Sequence, residues 1–221
     1  MKIAVIGAGV MGSGIAQVSA MAGFNVVLYD INPVVLRQAK ERIEKNLNKA
    51  ISLGKLSEEE KNSTVDKLQF TTKINDVIAD LIIEAIVEKL DIKSRVLNEL
   101  AEINGEATIY ASNTSSIPLT LLAANFKYPT QVVGIHYFNP AHIMKLVEVI
   151  SAEQTSDEVL AKAKEYVSKV GKKYIVAKDA PGFIVNRVAR HFYVEGLKIL
   201  EENVANHEVI DELVQASGFK M

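Results

Sequence analysis

The chain opens with the stretch "KIAVIGAGVMGSGIAQ" (residues 2–17), and this stretch decides the fold. Its apolar start predicts a buried strand, its glycines predict a tight turn, and the apolar spacing after them predicts a helix. A second apolar run, Phe24–Tyr29, follows and ends at Asp30. A strand, a helix and a strand within about thirty residues are typical of a parallel sheet covered by helices.

The same alternation of strand-like and helical segments continues as far as Ala177. Two consecutive helical segments interrupt it at about residues 33–67, and no strand-like run follows Ala177. We therefore predict an α/β fold, a Rossmann-type, mainly parallel sheet over residues 1–178 with an inserted helical hairpin arm. Residues 179–221 are predicted to form a second, all-helical domain.

The glycine-rich turn matches the pattern G-x-G-x-x-G at Gly7, Gly9 and Gly12, with Val10 and Met11 between the last two glycines. Between a strand and a helix, the first glycine makes the turn, the second lets a pyrophosphate approach, and the third lets helix and strand pack closely. The helix N-terminus adds free N–H groups for an anion. We predict a dinucleotide site here; the alternative is a tight turn without a ligand.

Asp30 ends the second strand, where a carboxylate can accept hydrogen bonds from both hydroxyls of an adenosine ribose. The same charge would repel a 2′-phosphate, and the nearest arginine that follows it is Arg37. The sequence therefore predicts that NAD is preferred over NADP. The alternative for Asp30 is a helix cap shared with Asn32.

A histidine and a carboxylate lie in two later apolar runs. His136 follows "VVGI", and Glu148 lies within "LVEVI". Alone, a histidine beside apolar residues is more often a hydrogen-bonded core residue, and the pair could be a structural ion pair. A carboxylate also fixes the tautomer of a histidine base, and such a base opposite a nicotinamide is what the oxidation of an alcohol requires.

The composition limits which classes of molecule the protein is expected to bind. The net charge of −2 over 221 residues offers no electrostatic footprint for nucleic acid. The chain has no cysteine, so disulfides and thiolate metal sites are excluded, and no metal is expected. No segment has the pattern of a membrane span or a signal peptide, and we expect a cytoplasmic protein.

Six motifs in one order carry a resemblance that covers essentially the whole chain. They are "GAGVMGSGIAQ", "EAIVE", "ASNTSSI", "GIHYFNP", "MKLVEV" and "DAPGFIVNR". Together they resemble the 3-hydroxyacyl-CoA dehydrogenases, including the bacterial 3-hydroxybutyryl-CoA enzymes. The resemblance implies reversible, NAD-dependent oxidation of a 3-hydroxyacyl-CoA to the 3-ketoacyl-CoA, as in fatty acid β-oxidation, by a dimeric enzyme.

The resemblance also implies roles for individual residues. His136 matches the general base, and Glu148 matches the carboxylate that orients it. Ser115 and Asn186 match the residues that hydrogen-bond the substrate oxygen. Four residues match positions near the nicotinamide end of the cofactor: Glu88, Lys93, Ser115 and Asn139.

The family binds CoA beside the helical hairpin arm, and the lysines of this arm suit a ligand that carries phosphates. Lys49 and Lys55 are the candidates; the alternative for each is a solvated helical face. The chain departs from the family at His142 and His191, where proline is usual.

The chain ends at "SGFKM", where relatives continue for several dozen helical residues. The resemblance thus implies an incomplete second domain. We expect self-association through the C-terminal helices, whose apolar faces need partners, and weak or no turnover in this short form.

Two other functions remain open. One is an NAD-binding protein of the same fold without turnover, as among the lens crystallin relatives of the family. The other is a dehydrogenase of free β-hydroxy acids, which would be expected to use a lysine base on the interdomain helix. The segment "FIVNRVARHF" offers no such lysine.

Overall fold

A computed structural model describes residues 1–218 as an eight-stranded sheet with eight α-helices among those residues. The strands are β1 (Lys2–Ile6), β2 (Asn25–Tyr29), β3 (Leu68–Thr71), β4 (Leu81–Glu84), β5 (Ile109–Ser112), β6 (Val132–Tyr137), β7 (Leu146–Ser151) and β8 (Lys173–Lys178). The helices are α1 (Val10–Met21), α2 (Pro33–Ser52), α3 (Glu58–Asp66), α4 (Leu90–Asn104), α5 (Leu119–Ala124), α6 (Asp157–Lys169), α7 (Val185–Glu201) and α8 (His207–Ala216).

The strands follow the order β3-β2-β1-β4-β5-β6-β7-β8 across the sheet. Neighbouring strands run parallel except β6 and β7, which are antiparallel. The predicted α/β, Rossmann-type, mainly parallel sheet is therefore confirmed. The chain leaves β1 on one side toward β2 and β3 and returns on the other side to β4, and ligands of such sheets bind at this reversal.

The glycine turn has the backbone that its sequence predicts. Gly7 has φ +96°, a conformation that side chains disfavour. A Cβ atom on Gly12 would lie 1.7 Å from the carbonyl oxygen of Gly7, so α1 starts directly against the turn. A Cβ atom on Gly9 would meet nothing within 4 Å. Packing within the protein thus requires glycine at position 12 and does not require it at position 9.

The helical hairpin of α2 and α3 packs against the rest of the domain. Asn32 caps α2 by accepting a hydrogen bond from the Val34 N–H, and Ser57 with Glu60 forms a capping box on α3. One face of α2 is buried, through Leu36, Ala39, Ile43 and Leu47. Polar contacts to α1 add to it: Arg42 donates to the Ser13 hydroxyl and Asn46 to the Gln17 side chain.

A chain of three buried hydroxyls connects α1, α6 and β6. The Tyr137 hydroxyl donates to the Tyr166 hydroxyl at 3.1 Å, and Tyr166 contacts the Ser19 hydroxyl at 2.7 Å. Burial raises the pKa of Tyr166 to about 12 and that of Tyr137 well above its ordinary value. Three elements distant in sequence are thus hydrogen-bonded to one another inside the core.

The chain divides into two compact units, one from Met1 to Ala180 and one that begins at Pro181. Within residues 1–218, no strand follows Lys178, and no residue of α7 or α8 is buried. Residues 219–221, the last of the expected second domain, lie outside the described part of the chain. No helix within residues 1–218 has the length and apolarity that a bilayer crossing requires.

We predict opposite results for alanine at the two glycines of the turn. Gly12→Ala should lower the free energy of unfolding by about 3 kcal/mol or more, because its methyl group overlaps the Gly7 carbonyl. Gly9→Ala should change it by less than about 1 kcal/mol, the usual range for a cap position. Urea unfolding followed by circular dichroism measures both. Equal losses in the two variants would contradict the role given to the Gly7–Gly12 contact.

Candidate active site

A pocket of about 730 Å³ lies beside the glycine turn, at the carboxyl ends of β1, β2 and β4. Three residues predicted to bind the cofactor line it: Gly7, Gly9 and Asp30. Most of the other lining side chains are apolar, among them Ile31, Val35, Ile74, Val87, Ile92 and Val96. An apolar pocket with a few polar groups at one side suits a flat aromatic base joined to a ribose.

The pocket also includes Arg95 and Glu99, which the sequence analysis did not identify. They lie on α4 with Ile92 and Val96, and this spacing puts all four on one helix face. In the sequence, the nearest arginine after Asp30 is Arg37, which does not line this pocket. The periodicity of α4 could have revealed the face, but only the folded sheet shows that this face closes the pocket.

The glycine turn leaves room and donors for an anion. No side chain caps the start of α1, so the first N–H groups of this helix, at Val10 and Met11, have no side-chain acceptor. Gly9 lines the pocket, and a Cβ atom there would meet nothing within 4 Å. These residues therefore fit a pyrophosphate, which would take the N–H groups and the favourable end of the helix dipole.

Asp30 is held rigidly between the turn and α2. Its Oδ2 accepts the N–H of Ala8 at 2.8 Å, and its Oδ1 accepts the N–H of Asn32 at 2.9 Å. The cap of α2 is Asn32, so the two residues share this corner in the way the alternative interpretation anticipated. Each carboxylate oxygen keeps a further lone pair, which is enough for two ribose hydroxyls.

His136 and Glu148 face each other directly across β6 and β7. The Nδ1 of His136 lies 2.8 Å from Oε2 of Glu148, and the two side chains are 4% and 0% exposed. A buried carboxylate can only accept, so Nδ1 carries a hydrogen and Nε2 presents its lone pair. The Ser115 hydroxyl lies 2.9 Å from this Nε2 and donates to it.

Two further contacts fix the surroundings of His136. Phe138 packs its ring against the imidazole, with centroids 4.8 Å apart. Asn113 accepts a hydrogen bond from the N–H of Tyr137, which joins the segment after β5 to the end of β6. Ser115 and His136, twenty-one residues apart, are therefore adjacent.

Glu88 organises the segment that carries Ser115. Its Oε1 accepts hydrogen bonds from the Thr114 hydroxyl, the Ser115 N–H, and both the N–H and the hydroxyl of Ser116. Partial burial opposes ionisation, but the bond from Thr114, the charge of Lys93 and the bond from Ser116 outweigh it. Together they lower the pKa of Glu88 to about 2, so Glu88 is ionised at neutral pH.

Lys93 lies behind Glu88, with a side chain that is only 1% exposed. Its Nζ contacts Oε2 of Glu88 at 3.1 Å and Oε1 of Glu84 at 2.5 Å. Glu84 is fully buried and also accepts from the Ser112 hydroxyl and the Ile86 N–H. Lys93 thus holds two carboxylates in place. Lys93 and Glu88 are predicted from sequence, whereas Glu84 is not, although a charge at the end of an apolar strand is its signal.

The remaining predicted residues lie outside this cluster. Asn139 is exposed just after β6. Lys49 lies in the last turn of α2. Burial and the charges of Lys172 and Lys49 lower the pKa of His142, so Lys49 lies close to the segment after β6. Lys55 is exposed in the turn between α2 and α3. Asn186 lies in the first turn of α7, in the second unit. No group of three metal-binding side chains occurs within residues 1–218.

The chain was compared with known protein families and structures. Residues 2–180 match the NAD binding domain of 3-hydroxyacyl-CoA dehydrogenase, and residues 182–221 match the C-terminal domain of that family. The 3-hydroxyadipyl-CoA dehydrogenase of Escherichia coli is 44% identical over 99% of this chain, which spans 46% of that protein. The 3-hydroxybutyryl-CoA dehydrogenase of Bradyrhizobium diazoefficiens is 41% identical over 95% of this chain, which spans 72% of it.

Solved structures agree with these relatives. The crystal structure of (S)-3-hydroxybutyryl-CoA dehydrogenase from Ralstonia eutropha superposes with a TM-score of 0.94 at 38% identity. The match covers 97% of this chain and 76% of that one. With a family match over most of the chain and relatives above 40% identity, the chain belongs to the 3-hydroxyacyl-CoA dehydrogenase family of NAD-dependent oxidoreductases.

Proposed function

We propose that this chain catalyses the reversible, NAD-dependent oxidation of a 3-hydroxyacyl-CoA to the 3-ketoacyl-CoA. The observation that carries the proposal is the position of His136 between Glu148 on Nδ1 and Ser115 on Nε2. A base with a fixed tautomer, next to a hydroxyl donor and beside a dinucleotide fold, has the parts that alcohol oxidation requires.

In the proposed reaction, Nε2 of His136 accepts the proton of the substrate's 3-hydroxyl group. The carboxylate of Glu148 stabilises the imidazolium that forms and keeps the ring in place. The Ser115 hydroxyl turns from Nε2 toward the substrate oxygen and donates to it. The apolar ring of Phe138 limits water at the imidazole, which strengthens both interactions.

NAD supplies the hydride acceptor for the hydrogen on C3 of the substrate. The turn at Gly7, Gly9 and Gly12 would hold its pyrophosphate, and Asp30 its adenosine ribose. Glu88, with Lys93 behind it, and Ser115 would lie near the nicotinamide, and Asn139 would complete that end of the site.

The residues proposed to bind the substrate include one from the second unit. Asn186 would hydrogen-bond the substrate oxygen, and Lys49 and Lys55 would meet the phosphates of CoA. We accordingly propose residues 1–178 as the NAD-binding domain and residues 179–221 as the start of a helical domain for substrate and self-association. The compact unit that ends at Ala180 supports this division. We also propose a cytoplasmic location, because the bacterial dehydrogenases named above resemble this chain.

Replacement of the base should abolish most of the turnover. We predict that His136→Gln lowers the turnover number by about 10²–10⁴-fold, the usual contribution of a positioned general base, with little change in NAD affinity. Glu148→Gln should also lower it, because the imidazolium loses its charge partner. The assay is NADH oxidation with acetoacetyl-CoA, combined with NADH binding by fluorescence.

His207→Gln is the matched control, because this histidine is 73% exposed on α8 and should not affect turnover. Full activity of His136→Gln would refute the assignment of the base. An unmodified chain that binds NAD but never oxidises NADH would instead support the alternative of a cofactor-binding protein without turnover.

Asp30 should set the choice of cofactor. We predict that the unmodified protein binds NAD more tightly than NADP and that Asp30→Asn reduces this preference by about tenfold or more, since charged hydrogen bonds and the repulsion of a 2′-phosphate are lost. Titrations with NADH and NADPH, followed by fluorescence, give the ratio of dissociation constants. Equal affinity of the unmodified protein for both cofactors would rule the idea out.

We further propose that the chain associates with itself through α7 and α8. Both helices carry exposed apolar side chains at helical spacing, Leu197 and Leu200 on α7 and Val209 and Leu213 on α8, at 41–67% exposure. Apolar surface repeated on one helical face marks an interface, because water contact there is unfavourable.

Light scattering across a dilution series tests this association. We predict a mass above the 24.2 kDa of one chain that falls on dilution. Leu213→Asp should lower the mass toward one chain, whereas Gln215→Asp, an equal charge at an exposed polar position of the same helix, should not. A constant single-chain mass at every concentration would contradict the proposal.

A further inference from the structure

Glu88 occupies the position between the cofactor pocket and the histidine base. Its neighbour in sequence, Val87, lines the pocket beside the glycine turn. Its carboxylate binds the N–H of Ser115, whose hydroxyl contacts His136. If a dinucleotide reaches from the pocket to a substrate held at His136, its nicotinamide end therefore lies beside Glu88.

The charge around Glu88 is not balanced. Glu84 and Glu88 share the ammonium group of Lys93, so this cluster carries two carboxylates and one cation among the described residues. Glu84 and Lys93 are buried against each other, whereas the side chain of Glu88 is 38% exposed and follows Val87 of the pocket lining. The other donors to Glu88 are neutral hydroxyl and N–H groups, which stabilise its charge without cancelling it.

We propose that the net negative charge at Glu88 stabilises the bound oxidised cofactor relative to the bound reduced cofactor. This inference rests on the proposed function, because it requires the nicotinamide to reach His136. The oxidised ring carries a positive charge, and the reduced ring is neutral after it has accepted a hydride. A fixed carboxylate therefore attracts only the oxidised form, and it affects the equilibrium between the two forms as well as binding.

A purely structural role makes a different prediction. If Glu88 only held residues 114–116 in place, its replacement would change the affinities for both forms of the cofactor by the same factor. The two forms share the same shape at the pyrophosphate and at both riboses. A charge effect changes the ratio of the two affinities. One unit charge at about 8–10 Å in a protein-like medium changes such a ratio by about tenfold.

The test compares Kd for NAD⁺ and Kd for NADH in the full chain, by NADH fluorescence and by competition with NAD⁺. Glu88→Gln removes the charge and keeps an acceptor for the four donors. Glu88→Asp keeps the charge and shortens the side chain. Glu102→Gln is the matched control: it removes one carboxylate charge on α4, where Glu102 is 68% exposed and paired with Lys127. Thermal unfolding of each variant checks that it is folded.

We expect Glu88→Gln to raise the ratio of Kd for NAD⁺ to Kd for NADH by about tenfold, while Glu88→Asp and Glu102→Gln keep the ratio of the unmodified chain. An unchanged ratio in a folded Glu88→Gln variant overturns the inference, whether or not both affinities fall together. An equal change in ratio for Glu88→Asp also overturns it. If the unmodified chain binds neither form, the proposed function itself fails.

Discussion

A buried carboxylate without a partner is too costly for a folded protein to keep, and this constraint governs the carboxyl edge of the sheet. Glu84 and Glu148 are both fully buried there. Glu148 is satisfied by His136, and Glu84 by Lys93 with the Ser112 hydroxyl and a backbone N–H. Among the residues that satisfy these charges are His136 and Lys93, which we propose to carry and to support the chemistry. The same contacts that keep the fold stable therefore also arrange the site.

Some of this arrangement could be predicted from sequence because it depends on short-range rules. The glycine turn and the end of β2 just before Asp30 follow from local steric demands and strand length. The pairing of His136 with Glu148 follows from the link between their strands, residues 138–145. A link of that length is too short for a crossover to a parallel neighbour, so the two strands had to pair antiparallel and bring the two side chains close.

Other parts depend on contacts between elements that are distant in sequence. Arg95 and Glu99 enter the pocket only because α4 turns that face toward β1 and β2. Lys93 matched a cofactor position by its motif, yet in the folded chain it contacts Glu84 and Glu88 and is buried. Burial of this kind is decided by how the start of α4 packs over the sheet, and no local pattern of charges reveals it. The packing of α2 on α1 was missed for the same reason.

The hydroxyl chain from Ser19 through Tyr166 to Tyr137 has a consequence for how such a protein can be varied. It ties the helix that begins at the glycine turn to the strand that presents His136, and all its members lie before Ala180. The spacing between the proposed cofactor site and the proposed base is thus an internal property of one module. New segments could be joined after that module, and its substrate preference exchanged, while the alignment for hydride and proton transfer is inherited unchanged.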